Sequence, residues 1–297
     1  MSTLREALEA ARAAGLDRLD AQLLLGQVLG RNRAWLLAHD DAPLSALQLA
    51  QFEALATRRR RGEPVAYLLG EKEFHGLALQ VDARVLVPRP DTEVLVDWAI
   101  ELLRHDLSGI GQPAVIDLGT GSGAIALAVK QGCPTAAVTA SDASADALAV
   151  ARANARRTGL DVEWAQGSWW SPLQGRQFDL ALSNPPYIAA GDGHLTALAT
   201  EPLAALTPGP SGLEALREIV AGAWAHLKPG AWLLLEHGFD QAESVRGLLA
   251  AAGFGGIRTR HDLGGQPRCT GGRRQSPARP CGAPASPESV ASWRKWP

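Results

Sequence analysis

Apolar residues in roughly the first 60 positions recur every three or four residues, which is the period of an amphipathic helix. Thr3 and Glu6 have the spacing of a helix-capping box. Gly30 and Gly62 follow two of the periodic stretches, at places where a glycine commonly ends a helix. The pattern predicts four short helices with short connections, packed as a small bundle.

The pattern changes between residues 65 and 88, where short apolar stretches replace the helical period. The segments from Tyr67 to His75 and from Leu77 to Val81 predict two short strands joined at Gly76. We therefore expect a hairpin that links the bundle to the rest of the chain.

A stiff turn follows the hairpin, because prolines stand on both sides of Arg89. Asp91 or Thr92 is expected to cap the next helix, which should run from Val94 to about Arg104.

From Val115 onward, short apolar runs typical of buried strands alternate with helical periods. This alternation predicts an α/β fold with a Rossmann-like, mostly parallel sheet that helices cover on both faces. Ligands of such sheets bind beyond the carboxyl ends of the strands, where the strand order reverses. Strands are expected near 114–118, 136–141, 162–166, 178–183, 231–236 and 257–260, and helices near 122–131, 143–157, 212–227 and 240–252.

The composition is that of an ordinary globular protein, with 46% apolar residues, 20% charged residues and a net charge of −2 over 297 residues. This length accommodates one large and one small domain. A protein that grips nucleic acid mainly through phosphates is usually more basic, so protein or small-molecule substrates are favoured.

The sequence also predicts where the protein is located and whether it binds a metal. The N-terminus has no signal-peptide core, and no apolar run approaches the roughly 20 residues that span a bilayer, so a cytoplasmic protein without membrane contact is expected. Neither the three cysteines nor the histidines have metal-ligand spacing, so no metal is expected. Residues 275–297 are rich in Pro, Ser, Ala and Arg and are expected to be disordered.

A glycine-rich turn follows the first predicted strand of the sheet, and its residues are Gly119, Thr120, Gly121, Ser122 and Gly123. Glycines let the backbone turn sharply and approach a ligand closely, as in sites for nucleoside cofactors. The same turn would suit a dinucleotide, whose pyrophosphate lies on the helix N-terminus.

Two carboxylates favour S-adenosylmethionine over a dinucleotide. Asp117, just before the turn, could receive the ammonium group of a methionine moiety. Asp142 ends the next predicted strand, where a carboxylate can accept both ribose hydroxyls. The alternative for Asp142 is a helix N-cap without a ligand.

The segment Asn184-Pro185-Pro186-Tyr187 follows another apolar strand. The Asn184 side-chain oxygen and the Pro185 carbonyl are two adjacent acceptors, which match the two hydrogens of an NH2 group. Holding both hydrogens would aim a planar, amide-like nitrogen at a methyl donor. Tyr187 could stack on the planar group or face a cationic sulfur. The alternative is a plain turn, because Asn-Pro often begins turns.

Trp169 and Trp170 follow the predicted strand at 162–166. A tryptophan at this place could line an adenine pocket, and the alternative for either ring is packing in the core.

With these residues in view, the chain resembles the HemK/PrmC family of protein-(glutamine-N5) methyltransferases. The Asn-Pro-Pro-Tyr turn also occurs in nucleic-acid methyltransferases. The motif Pro88-Arg89-Pro90-Asp91-Thr92-Glu93 is more specific for this family. The resemblance covers roughly residues 1 to 274. Its other motifs are Gly62-Glu63-Pro64-Val65-Ala66-Tyr67, Asp117-Leu118-Gly119-Thr120-Gly121 and Leu235-Glu236-His237-Gly238.

The resemblance implies a substrate, which is the glutamine of the Gly-Gly-Gln motif in peptide chain release factors 1 and 2. It implies S-adenosyl-L-methionine as cofactor, S-adenosyl-L-homocysteine as product, no metal and a monomer without stable nucleic-acid binding. The expected parts are a helical bundle for substrate recognition at 1–64, a β-hairpin linker at 65–88, a seven-stranded methyltransferase domain at 89–274 and a tail at 275–297.

The resemblance also assigns roles to the site residues. The glycine turn from Gly119 to Gly123, Asp142, Trp169 and Asn184 would contact the cofactor, and the residues from Asn184 to Tyr187 would hold the glutamine. Ser168 stands where the family commonly has Asp, and the loop from His194 to Glu201 is shorter than usual and should lie over the substrate side.

Two other functions remain open on the sequence alone. A nucleic-acid methyltransferase acting on an exocyclic amine could use the same turn, although it would need base flipping and a basic surface. A release-factor-binding protein that has lost turnover is the non-catalytic alternative.

Overall fold

The computed structural model describes residues 2–275. The predicted disorder of the tail therefore falls, apart from Gln275, outside the described residues. Among residues 2–275, no helix has the length and apolar character needed to cross a membrane.

The N-terminal part is a bundle of helices around its own apolar core, which includes Leu24, Leu25 and Phe52. The predicted capping box forms, because Thr3 Oγ1 accepts from the Glu6 amide at 3.2 Å and Glu6 Oε2 accepts from the Thr3 amide at 2.9 Å. The first four helices are α1 (Leu4–Ala13), α2 (Arg18–Leu29), α3 (Arg33–Ala38) and α4 (Ala46–Arg60).

The strand predicted at Tyr67–Leu69 is wrong, because these residues belong to helix α5 (Val65–Leu69). Pro64 precedes the helix and Gly70 ends it in the left-handed conformation, with φ of 75°. Leu68 packs into the core of the bundle, so tertiary burial selects the helix. The hairpin itself follows, formed by β1 (Glu71–Phe74) and β2 (Leu77–Gln80) and turning at Gly76 as predicted.

The expected cap of the next helix is also wrong. Pro90–Thr92 form one 3-10 turn that leads directly into α6 (Glu93–Arg104), and neither the Asp91 nor the Thr92 side chain caps it. Asp91 pairs with Arg268 at 3.2 Å, and the Thr92 hydroxyl accepts a hydrogen bond from Asn184. Both side chains bind partners at the site, and these contacts replace the expected hydrogen bonds to the amides at the N-terminus of α6.

The predicted α/β fold is confirmed, with a seven-stranded sheet in the order β5-β4-β3-β6-β7-β9-β8. Strands β3 to β7 are parallel, and β9 runs antiparallel to both of its neighbours. Its strands are β3 (Ala114–Leu118), β4 (Ala137–Asp142), β5 (Glu163–Gln166), β6 (Phe178–Ser183), β7 (Leu227–Glu236), β8 (Phe254–His261) and β9 (Pro267–Arg274).

Strand β9 was not predicted, because its sequence is polar and contains Gly271 and Gly272. Its place between β7 and β8 requires these small residues. A Cβ atom on Gly271 would lie 2.3 Å from Leu234 Cδ2 and 3.0 Å from Trp98 Cη2. Close packing against β7 and α6 therefore takes the place of apolar side chains in this strand.

Helices cover both faces of the sheet over two separate apolar cores. The order of strands reverses at β3, which lies between β4 and β6. The carboxyl ends of these three strands therefore meet at one edge, where a ligand crevice is expected. The remaining helices are α7 (Ala124–Gly132), α8 (Ala145–Thr158), α9 (Glu214–His226) and α10 (Ala242–Ala251).

Candidate active site

The glycine turn lies at the carboxyl end of β3 and passes directly into α7. Gly119, Gly121 and Gly123 have φ angles of 72°, 54° and 84°, which are costly for residues with a Cβ atom. The amides of Gly119 and Thr120 both donate to the Ser141 carbonyl, at 2.8 and 2.9 Å. The turn is thereby pinned to the end of β4.

A cavity of about 280 Å³ lies over this turn, at the carboxyl ends of β3, β4 and β6. Residues from separate predicted motifs, far apart in the chain, line this one cavity. The predicted site residues that line it are Gly119, Gly121, Asp142, Trp169, Asn184 and Pro186.

Asp142 lies at the rim of this cavity with both carboxylate oxygens engaged. Oδ2 accepts from the Gly121 amide at 2.9 Å, and Oδ1 accepts from the Ser144 amide at 2.8 Å. Burial raises its pKa, and the two backbone hydrogen bonds oppose that rise. Each oxygen keeps a second lone pair, so the carboxylate can still accept hydrogen bonds from a ligand. Asp142 therefore supports the turn and remains available to the cavity.

Trp169 forms another wall of the cavity. Its backbone has a φ of 44°, which is unusual for a large residue. Its indole nitrogen donates to Glu218 Oε2 at 3.1 Å, which fixes the ring plane. The ring lies so close to the glycine turn that a Cβ atom on Gly119 would be 3.1 Å from Cζ3. Ser168, the departure from the family pattern, lines the same cavity.

Asp117 lies beneath the turn and does not line the cavity. Its side chain is fully buried. Oδ2 accepts from the Thr120 hydroxyl at 2.6 Å, whereas Oδ1 has no hydrogen-bond partner among residues 2–275. Burial raises the pKa of Asp117 to about 7. Of the other predicted residues, Thr120 and Ser122 are also buried, and Gly123 packs against Ala151 of α8.

Replacing Asp117 with Asn is expected to change how stability depends on pH. The pKa of Asp117 is about 7 in the folded protein, against about 3.9 for an unfolded chain. Its contribution to the free energy of unfolding is therefore fully present below the unfolded pKa and is lost as the pH rises through 7. Urea unfolding should show the stability of Asp117→Asn, relative to the unsubstituted protein, increasing from pH 5 to pH 8. A difference that is constant over this range would contradict the assignment.

Asn184 begins the second predicted motif, at the carboxyl end of β6. Its Nδ2 donates to the Thr92 hydroxyl at 3.1 Å, and its Oδ1 accepts no hydrogen bond from another described residue. Asn184 lines the 280 Å³ cavity and also a second cavity of about 70 Å³. Pro185 and Tyr187 line the smaller cavity, while Pro186 lines the larger one. Asn184 thus stands at the boundary between the two.

Tyr187 is held by polar contacts at both its backbone and its ring. Its hydroxyl donates to Glu236 Oε1 at 3.3 Å, and its carbonyl accepts from Gln241 Nε2 at 2.9 Å. Burial, with the nearby Glu236, raises the pKa of Tyr187. The ring is therefore a neutral, fixed wall of the smaller cavity.

Glu236 is a residue of this site to which the sequence had assigned no role. It ends strand β7 with its side chain almost fully buried, and burial raises its pKa to about 7. The signal in the sequence was a carboxylate directly after the apolar run of β7. A charged residue at such a place needs a specific partner, because burial without one is costly.

The loop before α9 contributes Leu198 to the smaller cavity, and Ala205 of the following 3-10 turn also lines it. Glu201, which is buried, forms an ion pair with Arg89 and accepts from the Val87 amide at 3.0 Å. The loop is thereby anchored to the proline turn, although it is short.

The larger cavity thus presents the backbone of the glycine turn, the Asp142 carboxylate, the Trp169 indole ring, Arg84 and Asn184 to a ligand. The smaller cavity is lined by Asn184 and Pro185, and neither Asn184 Oδ1 nor the Pro185 carbonyl accepts a hydrogen bond from another described residue. Within the part of the chain that the structure describes, no group of three or more His, Cys, Asp or Glu residues could hold a metal ion.

The chain is similar to known proteins over most of its length. Residues 2–70 match the family model described as PrmC N-terminal domain, and residues 93–209 match the methyltransferase small domain. The chain is similar to the release factor glutamine methyltransferase of Bordetella pertussis (strain Tohama I), with 51% identity over 87% of this chain and 95% of the relative. It is similar to the protein of the same name from Xylella fastidiosa (strain Temecula1), with 48% identity over 90% of this chain and 97% of the relative.

Among solved structures, the chain is similar to the 16S rRNA N2 G1207 methyltransferase (RsmC) of T. thermophilus, solved in complex with AdoMet and guanosine. The TM-score is 0.51 at 17% identity, over 69% of this chain and 50% of that chain. At this level of identity the likeness shows the fold alone.

Proposed function

The chain belongs to the family of release factor glutamine methyltransferases, and we propose that it transfers a methyl group to the side-chain amide of a substrate glutamine. Asn184 would hold this amide during the reaction. The observation that carries the proposal is the position of Asn184, which lines both cavities. An amide that Asn184 binds in the smaller cavity would face the methyl donor in the larger cavity. A methyl donor in the larger cavity and an amide in the smaller one would therefore both lie beside Asn184.

The larger cavity fits S-adenosyl-L-methionine. Asp142 would accept the ribose hydroxyls, and Trp169 would lie against the adenine. Asp117 does not line this cavity and would support the turn from below through its hydrogen bond with the Thr120 hydroxyl. The backbone of the turn from Gly119 to Gly123 would lie against the cofactor. When bound, the cofactor supplies a methyl group on a positively charged sulfur and leaves as S-adenosyl-L-homocysteine.

The smaller cavity would hold the substrate amide. Asn184 Oδ1 and the Pro185 carbonyl each accept one hydrogen of the NH2 group, and this fixes the direction of the nitrogen lone pair. An amide nitrogen is a poor nucleophile because its lone pair is delocalised. Acceptors that hold both hydrogens favour the pyramidal arrangement, so this binding is expressed in the transition state. Tyr187 would pack on the flat face of the amide.

Apolar side chains beside Asn184 would limit the access of water to the reacting nitrogen. Leu86 and Ala205 line both cavities, and Leu198 lines the smaller one. An apolar surround strengthens the hydrogen bonds to Asn184 and Pro185, because the local dielectric constant is low. The loop that supplies Leu198 is held in place by the ion pair between the buried Glu201 and the partly exposed Arg89.

We propose that the substrate is the glutamine of the Gly-Gly-Gln motif in peptide chain release factors 1 and 2. The two relatives are named for release factor glutamine methylation and cover nearly the whole described chain. We expect the enzyme to act as a monomer in the cytoplasm, with the helical bundle at 1–64 contacting the body of the release factor.

Mass spectrometry of release factor 1 after incubation with the enzyme and S-adenosyl-L-methionine tests this function. The peptide that contains Gly-Gly-Gln should gain the mass of one methylene unit, and fragmentation should place it on the glutamine. A release factor in which that glutamine is replaced by alanine is the matched control and should gain nothing. Methylation of another residue, or of none, would contradict the proposal.

The nucleic-acid alternative is not favoured, because the relatives that match over most of the chain are named for release factors. The non-catalytic alternative is tested by the same assay. Release factor binding without any mass gain would support it.

A further inference from the structure

We propose that Gln241 is a positioning residue, whose side-chain amide holds the main-chain carbonyl of Tyr187 and thereby fixes the segment 184–187 beside the two cavities. Gln241 lies directly before α10 and lines neither cavity. The inference rests on the function proposed above and adds to it a residue that would not touch the substrate.

The segment 184–187 begins where the sheet stops holding the chain. Strand β6 ends at Ser183, and neither Pro185 nor Pro186 has an N–H group to donate. The carbonyl of Tyr187 accepts from Gln241 Nε2 at 2.9 Å, whereas those of the two prolines accept from no other described residue. The hydrogen bond from Gln241 is therefore the main-chain anchor at the far end of this segment.

The two prolines make the segment stiff. Each proline ring fixes its own φ angle near −65°, and each residue that precedes a proline is restricted to extended conformations. A stiff segment moves as a unit when one of its ends is displaced. The hydrogen bond at Tyr187 therefore also sets the position of the Pro185 carbonyl, which is one of the two acceptors proposed for the substrate amide.

The amide of Gln241 is used completely, and it joins three parts of the chain. Nε2 donates to the Tyr187 carbonyl at 2.9 Å and to the Gly212 carbonyl, in the loop before α9, at 3.4 Å. Oε1 accepts from the Gly238 amide, just after β7, at 2.9 Å. Acceptors at the nitrogen and a donor at the oxygen define one orientation of this amide. Gln241 stands at the N-cap of α10, yet its side chain makes no capping hydrogen bond there.

Gly212 is a second, independent sign that the position of the Tyr187 carbonyl is closely defined. Its φ angle is 73°, and a Cβ atom there would overlap the Tyr187 carbonyl oxygen and lie 2.9 Å from Gln241 Nε2. The backbone of the loop before α9 thus packs directly against the hydrogen bond. A side chain at this place would push the carbonyl out of position.

Gln241→Met keeps the length of the side chain but removes its amide. We expect it to lower kcat for release factor methylation by about tenfold, near the upper end for one lost hydrogen bond. The KM for release factor and the affinity for S-adenosyl-L-homocysteine should stay within about threefold, because no residue that lines a cavity is replaced. Gln174→Met makes the same change at an exposed position outside both cavities and should leave all three values unchanged.

Gly212→Ala disturbs the same carbonyl while Gln241 stays in place, and it should lower kcat to a similar extent. Gly175→Ala is its matched control, because Gly175 has a φ of 74° and a Cβ atom there would meet nothing within 4 Å. Backbone strain alone would affect both glycine variants equally. An unchanged kcat in both Gln241→Met and Gly212→Ala would overturn the proposal, as would loss of S-adenosyl-L-homocysteine binding in parallel with activity.

A spectroscopic readout tests the contact without turnover. The chain has two tyrosines, and Tyr187 is the one that precedes an isoleucine. In protein labelled with carbonyl-¹³C tyrosine and ¹⁵N isoleucine, the peptide unit between Tyr187 and Ile188 therefore gives a single doubly labelled signal. Hydrogen bonding moves a carbonyl carbon signal downfield, so this signal should move upfield in Gln241→Met and stay in place in Gln174→Met.

The two readouts distinguish failure of this inference from failure of the proposed function. If the Tyr187 carbonyl signal does not move in Gln241→Met, the role of Gln241 is wrong whether or not methylation occurs. If the signal moves but the unsubstituted protein does not methylate release factor, the proposed function is wrong and Gln241 still holds the segment 184–187.

Discussion

Replacing Asn184 with alanine is expected to lower kcat/KM for release factor methylation by roughly 100- to 1,000-fold, as for loss of a preorganised polar group elsewhere. Alanine removes the side-chain oxygen that would accept from the substrate amide. It also removes the donor to the Thr92 hydroxyl, which is 3.1 Å away. The nitrogen would then be held only by the Pro185 carbonyl and could rotate out of line with the methyl donor.

Single-turnover methylation of release factor measures this effect most directly, because product release does not then contribute. Gln174→Ala, which removes an exposed amide that lines neither cavity, is the matched control and should retain full activity. The affinity for S-adenosyl-L-homocysteine should fall much less than the rate does. An Asn184→Ala enzyme that methylates at the rate of the unsubstituted protein would refute the role given to Asn184.

Replacing Gly119 with alanine is expected to weaken binding of S-adenosyl-L-homocysteine by roughly 10- to 100-fold, which corresponds to about 1.4 to 2.7 kcal/mol. The added Cβ atom would lie 3.1 Å from Cζ3 of Trp169. Relief of this contact requires the ring or the turn to shift by a few tenths of an ångström, and the hydrogen bond to Glu218 restrains the ring. Both of these line the larger cavity.

Gly159→Ala separates this clash from backbone strain. Gly159 has a φ of 69°, close to the 72° of Gly119, but a Cβ atom there would meet nothing within 4 Å. Both variants should therefore lose a similar amount of stability, about 1 kcal/mol, from the left-handed backbone. Calorimetric titration should show weakened binding only in Gly119→Ala. Equal affinities in the two variants would mean that the contact with Trp169 is unimportant.

Much of the fold could be predicted because its signals are local. The capping box at Thr3 and Glu6 formed as predicted, and the apolar runs at 114–118 and 178–183 became the strands β3 and β6. Helix α5 and strand β9 were mistaken or missed, because packing against other parts of the chain decides them. Leu68 is buried in the bundle, and Gly271 fits closely against Leu234 and Trp98.

The candidate site shows the same division. The turn from Gly119 to Gly123 and the motif at Asn184 were recognisable because each is a continuous segment with unusual residues. Asp117 lies beneath the turn and not on the cavity wall, which no local pattern indicates. Thr92 was predicted to cap a helix and instead binds Asn184, 92 residues away in the sequence.

The sequence alone determined the fold class, the two motifs and the family, because periodicity and short motifs are properties of neighbouring residues. Only the tertiary structure decided that Asn184 lines both cavities, that it binds Thr92 and that Tyr187 binds Glu236. Those contacts join the turn before α6 and the ends of β6 and β7, which are far apart along the chain. Their formation depends on the order of the strands in the sheet and on how α6 packs over it. Patterns of neighbouring residues do not predict this long-range packing.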